Sequence, residues 1–333
     1  MTRDNILKSI KSILLLAVLV FAADRFAGYV LKKMYFNLKA GQLYMTTHLL
    51  KEAKDSVLIF GSSRAEHHYI SNELEKELNL STYNSGRDGR NILYSSTLYS
   101  QILARYTPKI VILDVHPNTF TWKAGDSGED IMVSSLIPYI EDFPKIREGI
   151  GKVRKKDVIF SKLFKTYPYN SQFLQVILTS RHKGTKLETF KGYSPLAGSK
   201  LTPENIQERN KNLVANYKPE ENAVLKQAFI DFLTLSRAKG VKLYVVVSPT
   251  FLPFKDNSVP EMARLTKEYG YELYDFSNLQ GFDSASLYYD GTHLNHEGAT
   301  RYTTFFTKYL KDHIHDAGLS PNEKLMKTAA FSN

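Results

Sequence analysis

The sequence has no cysteine among its 333 residues, which removes disulfides, thiolate catalysis and cysteine-ligated zinc together. It also lacks a block of one-sign charge: a net charge of +10 is scattered along the chain, and its densest basic run covers only residues 152–156. Nucleic-acid proteins concentrate Lys and Arg on one element, interleaved with stacking aromatics, so the scatter argues against that class. What it leaves is a set of solvated faces, or a patch beside anionic lipid. No internal repeat is evident. The N-terminal apolar run, Ile13 to Ala23, is eleven residues long, shorter than the about 20 that a bilayer-spanning helix needs.

A span is still available from Ile6 to Ala23 if Lys8 and Lys11 extend toward the headgroups. A basic start and short apolar core also fit a cleaved signal peptide. Ala22-Ala23-Asp24 is a poor cleavage site, however, because the residues beyond it keep a helical pattern. The expectation is therefore an uncleaved signal anchor over residues 1–34. Arg3, Lys8 and Lys11 face Arg25, Lys32, Lys33 and Lys39 across the segment, so the positive-inside count does not set the orientation. A short start ahead of a large domain places the amino end inside and the rest of the chain outside the cytoplasm. Residues 35–54 read as a helical stalk.

Beyond the stalk, a hydrophobic content of 43% is ordinary for a folded protein, and the length allows one large α/β domain. Ser56 to Phe60 is a continuous apolar run, as expected of a strand buried on both faces. A helical pattern follows from Arg64 to Leu78, a strand over residues 81–84, a helix from Asn91 to Tyr106, and a buried strand from Lys109 to Asp114. Such alternation predicts a parallel, doubly wound sheet with the loops after its strands gathered on one edge. The pattern weakens over residues 119–220, which read as a helical insertion or lid. It returns with a helix at 222–239, a strand at 241–247, a helix at 260–269, a strand at 271–275 and a helix at 297–315. The expected domain is 55–316, with a polar tail at 317–333.

Four segments fall at strand carboxyl ends. Ser63 follows Gly61 between a strand and a helix, where a hydroxyl points off the sheet edge toward helix N–H donors. Gly86, in the turn after the second strand, can offer its N–H to an oxyanion, or simply turn the chain. Asn118 can supply a side-chain amide to the same anion, or cap a turn. Asp290 and His293 are three apart on the loop opening the last helix, so a carboxylate can hold one imidazole nitrogen while the other faces a serine. Leu294 would seat that loop, Asn295 cap the helix, and Gly298 with Ala299 allow close packing. His67 with His68, and His313 with His315, point apart along their helices, so no metal or other cofactor is expected.

These blocks (Gly61-x-Ser63, Asn84-x-Gly86, Asn118, and Asp290-x-x-His293-Leu294-Asn295) resemble those of the SGNH/GDSL hydrolase superfamily. The resemblance implies a three-layer, flavodoxin-like sheet, with Ser63 as nucleophile, His293 as general base and Asp290 orienting it. It implies an oxyanion hole from the N–H groups of Ser63 and Gly86 and the amide of Asn118. Two departures stand out: Ser62 replaces the Asp of GDSL members, and His116 the usual Gly before the third-block Asn. The amino end and the Gly192-Tyr193 segment look similar to envelope-associated members that handle O-acyl groups on polysaccharide. The implied partners are thus an O-acylated carbohydrate or other ester, the membrane, and a membrane acyl-donor protein, with Arg64, Arg87, His116 and Tyr193 as candidate cleft residues. The α/β-hydrolase elbow is the rival on residues alone, but Ala65 breaks its Gly-x-Ser-x-Gly pattern. The functional alternative is a non-catalytic SGNH-like envelope protein binding polysaccharide or a membrane partner.

Overall fold

The computed structural model describes residues 3–39, 41–121, 133–180, 190–204, 207, 221–252 and 258–313. The tail expected at 317–333 lies outside these residues. The chain divides into two compact units, residues 1–44 with 134–184, and residues 45–133 with 185–333.

The first unit is built on α1 (Arg3–Phe36), a single helix of 34 residues, long and apolar enough to cross a membrane. α2 (Gly41–Lys51) follows and leads into the second unit. The insertion expected over 119–220 is not one piece: residues 134–184 belong with α1. The reason lies in side chains that read from sequence as stalk. Tyr35 is wholly buried, its hydroxyl 3.2 Å from that of Tyr139 and its ring 5.6 Å from that of Tyr169. Gly28 permits the crossing, because a Cβ there would lie 2.4 Å from the Lys165 Cβ. Within the segment read as a stalk, Leu38, Leu43, Leu49 and Leu50 are buried.

The second unit carries β1 (Val57–Phe60), α3 (Ser63–His68), α4 (Ser71–Leu78), β2 (Thr82–Asn84), α5 (Ile92–Leu103) and β3 (Ile110–Asp114). Within residues 134–184 of the first unit lie α6 (Pro144–Val153), α7 (Lys155–Leu163) and α8 (Phe173–Ser180). The second unit then resumes with α9 (Ala223–Ala238), β4 (Lys242–Val247), α10 (Val259–Glu268), β5 (Leu273–Asp275) and α11 (His296–His313). All five strands are parallel, in the order β2-β1-β3-β4-β5. The order reverses between β1 and β3, and open α/β sheets bind ligands in the crevice at such a switch point.

Alternate side chains of each strand serve the two faces. Val57, Ile59, Ile112 and Val246 pack with Leu74 of α4 and with Tyr302 and Phe306 of α11. On the opposite face Phe60 meets Tyr99 of α5 and Phe232 of α9, whose rings stack at 4.2 Å. The helix expected from Arg64 to Leu78 is two, since Tyr69 and Ile70 take extended backbone angles and turn the chain between α3 and α4.

Candidate active site

Gly61 ends β1 where only a glycine fits, because a Cβ would stand 2.6 Å from the Asp114 carbonyl oxygen and 2.7 Å from the Ala65 Cβ. Ser62 caps α3 and Ser63 is its first residue, off the carboxyl edge of the sheet beside the switch point. At the far end of the sequence, Asn295 accepts the Gly298 N–H at 3.0 Å and so caps α11. Gly298 lets that helix start hard against the preceding segment, since a Cβ would lie 2.1 Å from the Leu287 carbonyl oxygen. Leu294 is fully buried beneath the loop.

These two anchored segments, 230 residues apart, bring Ser63 Oγ to 2.7 Å from His293 Nε2. The other ring nitrogen, Nδ1, lies 2.8 Å from Asp290 Oδ2 and 2.9 Å from Oδ1. A carboxylate only accepts, so Nδ1 carries the proton and Nε2 presents its lone pair to the serine. Asp290 Oδ1 also accepts the N–H groups of Thr292 at 2.9 Å and His293 at 3.0 Å. Burial works to raise the Asp290 pKa, but the His293 hydrogen bond and charge and those two N–H donors outweigh it. The carboxylate is held well below its usual range.

Ser63 and His293 line a cleft of about 480 Å³ together with Asp88, Arg90, His116 and Asn118. The Asn118 N–H reaches His116 Nδ1 at 3.3 Å. Arg64 also lines the cleft, and Arg87 and Tyr193 are engaged elsewhere. Arg64 has its guanidinium turned inward: Nη2 donates to Ser248 Oγ at 3.0 Å, and Nε lies 3.8 Å from Asp114 Oδ1. Arg87 donates to Thr46 Oγ1 at 2.6 Å and is packed against the Tyr94 ring. Tyr193 is buried with its hydroxyl 2.9 Å from His296 Nδ1. A long side chain beside a motif reads from sequence as a cleft residue, yet each of these also has a polar partner within the fold. Gly86 also differs, for its N–H is given to Asn84 Oδ1 at 2.9 Å. Its role here is steric, since a Cβ would stand 2.5 Å from the Glu66 nitrogen.

One positioning residue escaped the sequence reading. His68 Nε2 accepts the Leu294 N–H at 3.0 Å while Nδ1 bonds Ser248 Oγ at 2.8 Å. It thus ties α3 directly to the loop that carries His293. Its only signal was a second histidine on the helix after Ser63, and adjacent histidines carry no spacing that implies such a bridge.

Burial first, and then the nearby Arg64 charge, push His68 far below the usual histidine range and His116 down to about 3. Burial also lowers His67. The sign of the linkage follows. These bases stay neutral when folded but take up protons when unfolded, so their contribution is complete above about pH 6.5 and declines as pH falls below it. Each contributes a slope of up to ~1.4 kcal/mol per pH unit in that window. Denaturant titrations from pH 7 to pH 4 are expected to show this loss, with a shallower slope in His116→Asn. An unchanged slope in that variant would mean that His116 is charged in the folded protein.

The fold and site define a parallel α/β protein with a Ser–His–Asp hydrogen-bonded relay at the carboxyl edge of its sheet, in a chain that begins with a long apolar helix. The chain belongs to the family described as protein of unknown function (DUF1574), whose model matches residues 13–309 and so spans both units. No curated protein matches the chain.

Proposed function

We propose that this protein is a membrane-anchored, extracytoplasmic serine acyl-ester hydrolase or O-acyltransferase of the SGNH/GDSL type. The substrate class is an O-acetylated polysaccharide of the cell envelope, by resemblance to superfamily members of that kind. The observation that carries the chemistry is the 2.7 Å approach of Ser63 Oγ to His293 Nε2, backed by Asp290. In this reading Ser63 Oγ attacks the ester carbonyl as its proton passes to His293 Nε2. The tetrahedral oxyanion is met by the Ser63 N–H and the Asn118 amide, because the Gly86 N–H is already given to Asn84. Collapse expels the alcohol, which takes the proton from His293, and leaves an acyl-serine. Water or a sugar hydroxyl then gives up a proton to His293 and attacks the acyl carbon, releasing Ser63. Transfer in place of hydrolysis requires that the acceptor exclude water from the cleft.

A fluorophosphonate probe tests the nucleophile. The expected result is one covalent adduct on Ser63 of the wild-type protein and none on Ser63→Ala. A folded wild-type protein that takes no label would overturn the assignment. Incubating acetylated glycans with and without acceptor sugars then separates hydrolysis from transfer by whether free acetate or acetylated acceptor accumulates.

A further inference from the structure

The helical segment packed on α1 carries an unusual surface. On α7 and just after it, Ile159, Phe160, Leu163 and Phe164 are all between 40% and 53% exposed, beside exposed Lys155, Lys156 and Lys162. The opposite side of α7 is turned into the unit: Asp157 and Ser161 are buried, and Asp157 pairs with Arg154 and Tyr167. A short helix with an apolar exposed face and flanking lysines suits the boundary of an anionic bilayer.

The register of α7 against α1 sets the depth of that face. Asp24, the first charged residue after the apolar run, accepts the Lys165 N–H at 2.7 Å, the Thr166 N–H at 3.1 Å and the Thr166 hydroxyl at 2.7 Å. Arg25 donates to the Leu163 carbonyl at 2.6 Å. The end of α7 is thereby held level with residues 24 and 25 of α1. Ile6 to Ala23 spans about 27 Å at 1.5 Å per residue, close to the ~30 Å hydrocarbon thickness, so Asp24 falls at the headgroup level. Alongside lies a cleft of about 530 Å³ lined by Arg25, Lys32, Arg147, Lys162 and Lys165, with Glu141 as its one acidic side chain. Lys32 pairs there with Glu141 and Asp142, and Lys165 with Glu141.

We infer that the exposed face of α7 inserts into the outer boundary of an anionic phospholipid bilayer. The inference rests on α1 spanning the membrane. Because the sequence has no cysteine, single-cysteine variants of the full chain can carry an environment-sensitive dye without background. Leu16→Cys reports the anchor, and Phe160→Cys and Phe164→Cys report α7. In phosphatidylglycerol-containing vesicles, the dyes at 160 and 164 are expected to be quenched at least about twofold more by lipids doxylated near the headgroup than by lipids doxylated at the chain end, as for a face about 5–10 Å deep. The dye at Leu16 is expected to show the reverse order. Shallow quenching at 160 and 164 is expected to fall in phosphatidylcholine vesicles, and to fall likewise on changing Lys155, Lys156 and Lys162 to Gln.

If the Leu16 dye is quenched by lipid while those at 160 and 164 answer only to aqueous iodide, the inference fails and the anchor stands. Dyes at 160 and 164 shielded from both quenchers would mean that protein, such as a second copy of the chain, covers α7, and would also overturn it. Equal quenching in both lipids would overturn the anionic preference. A Leu16 dye untouched by lipid quenchers would remove the anchor itself, and the inference with it.

Discussion

Replacing Ser63 or His293 with alanine is expected to lower turnover of an activated acetate ester by about 10⁶-fold, and Asp290→Asn by about 10⁴-fold. The pattern matters more than any single value. Groups that act as one relay do not add, so the Ser63→Ala/His293→Ala double variant is expected to be no slower than either single variant. The order follows from the bonds. In the proposed route the proton moves through the 2.7 Å contact of Ser63 with His293, whereas Asp290 would act through His293 Nδ1 at 2.8 Å. Steady-state kinetics of the purified variants check this directly. Losses that multiply in the double variant, or a Ser63→Ala protein with undiminished turnover, would refute a shared acyl-serine route.

The second large effect is structural, at Arg64. Its side chain and that of Asp114 are each about 1% exposed, and Asp114 Oδ2 accepts the Tyr69 hydroxyl at 2.7 Å. Removing one member of a buried pair leaves the other charge uncompensated, at a cost of about 3–5 kcal/mol. Arg64→Met is therefore expected to lower the Tm by roughly 6–20 °C, taking about 2–4 °C per kcal/mol for a domain of this size. Arg64→Met combined with Asp114→Asn is expected to regain more than half of that loss, since no buried charge is then stranded. The pH dependence has a definite sign. Burial raises the Asp114 pKa and Arg64 opposes it, so without Arg64 the folded state holds its proton more tightly than the unfolded chain does. Relative to wild type, Arg64→Met is thus expected to lose least near pH 4 and progressively more as pH rises through the folded-state pKa of Asp114. Calorimetry of the two variants at pH 5 and pH 8 measures this. A double variant no more stable than the single one would show that Asp114 finds its compensation elsewhere.

Ser248 connects this buried pair to the site, because its hydroxyl meets both Arg64 and His68, and His68 holds the Leu294 N–H. The chain from Asp114 to the His293 loop runs through residues drawn from α3, β3, the loop after β4 and the start of α11. Arg64, Ser248 and His68 therefore form a hydrogen-bonded link to the loop that carries His293.

The sequence by itself determined the alternation of strands and helices, because a strand buried on both faces must be continuously apolar, as Val57 to Phe60 and Ile110 to Leu113 are. It also determined which segments reach the sheet edge, since Gly61, Asp290, Asn295 and Gly298 are residue types that a sharp turn, a caged histidine and a capped helix each require. The split of residues 64–78 into two helices was not legible, because backbone angles at Tyr69 and Ile70 answer to tertiary packing rather than to periodicity. Nor was the fate of polar side chains. Arg87, Tyr193 and the Gly86 N–H read alike as cleft groups, and only the assembled fold supplied the partners that claim them. The same holds for Asp24: a charge at the end of an apolar run marks a boundary, but the Lys165 and Thr166 donors that it meets lie about 140 residues away. Local pattern specifies the period and the turn, because those are set by neighbouring residues. Which donor meets which acceptor depends on chain segments that only folding brings together, and that meeting decided which residues of this protein face its cleft.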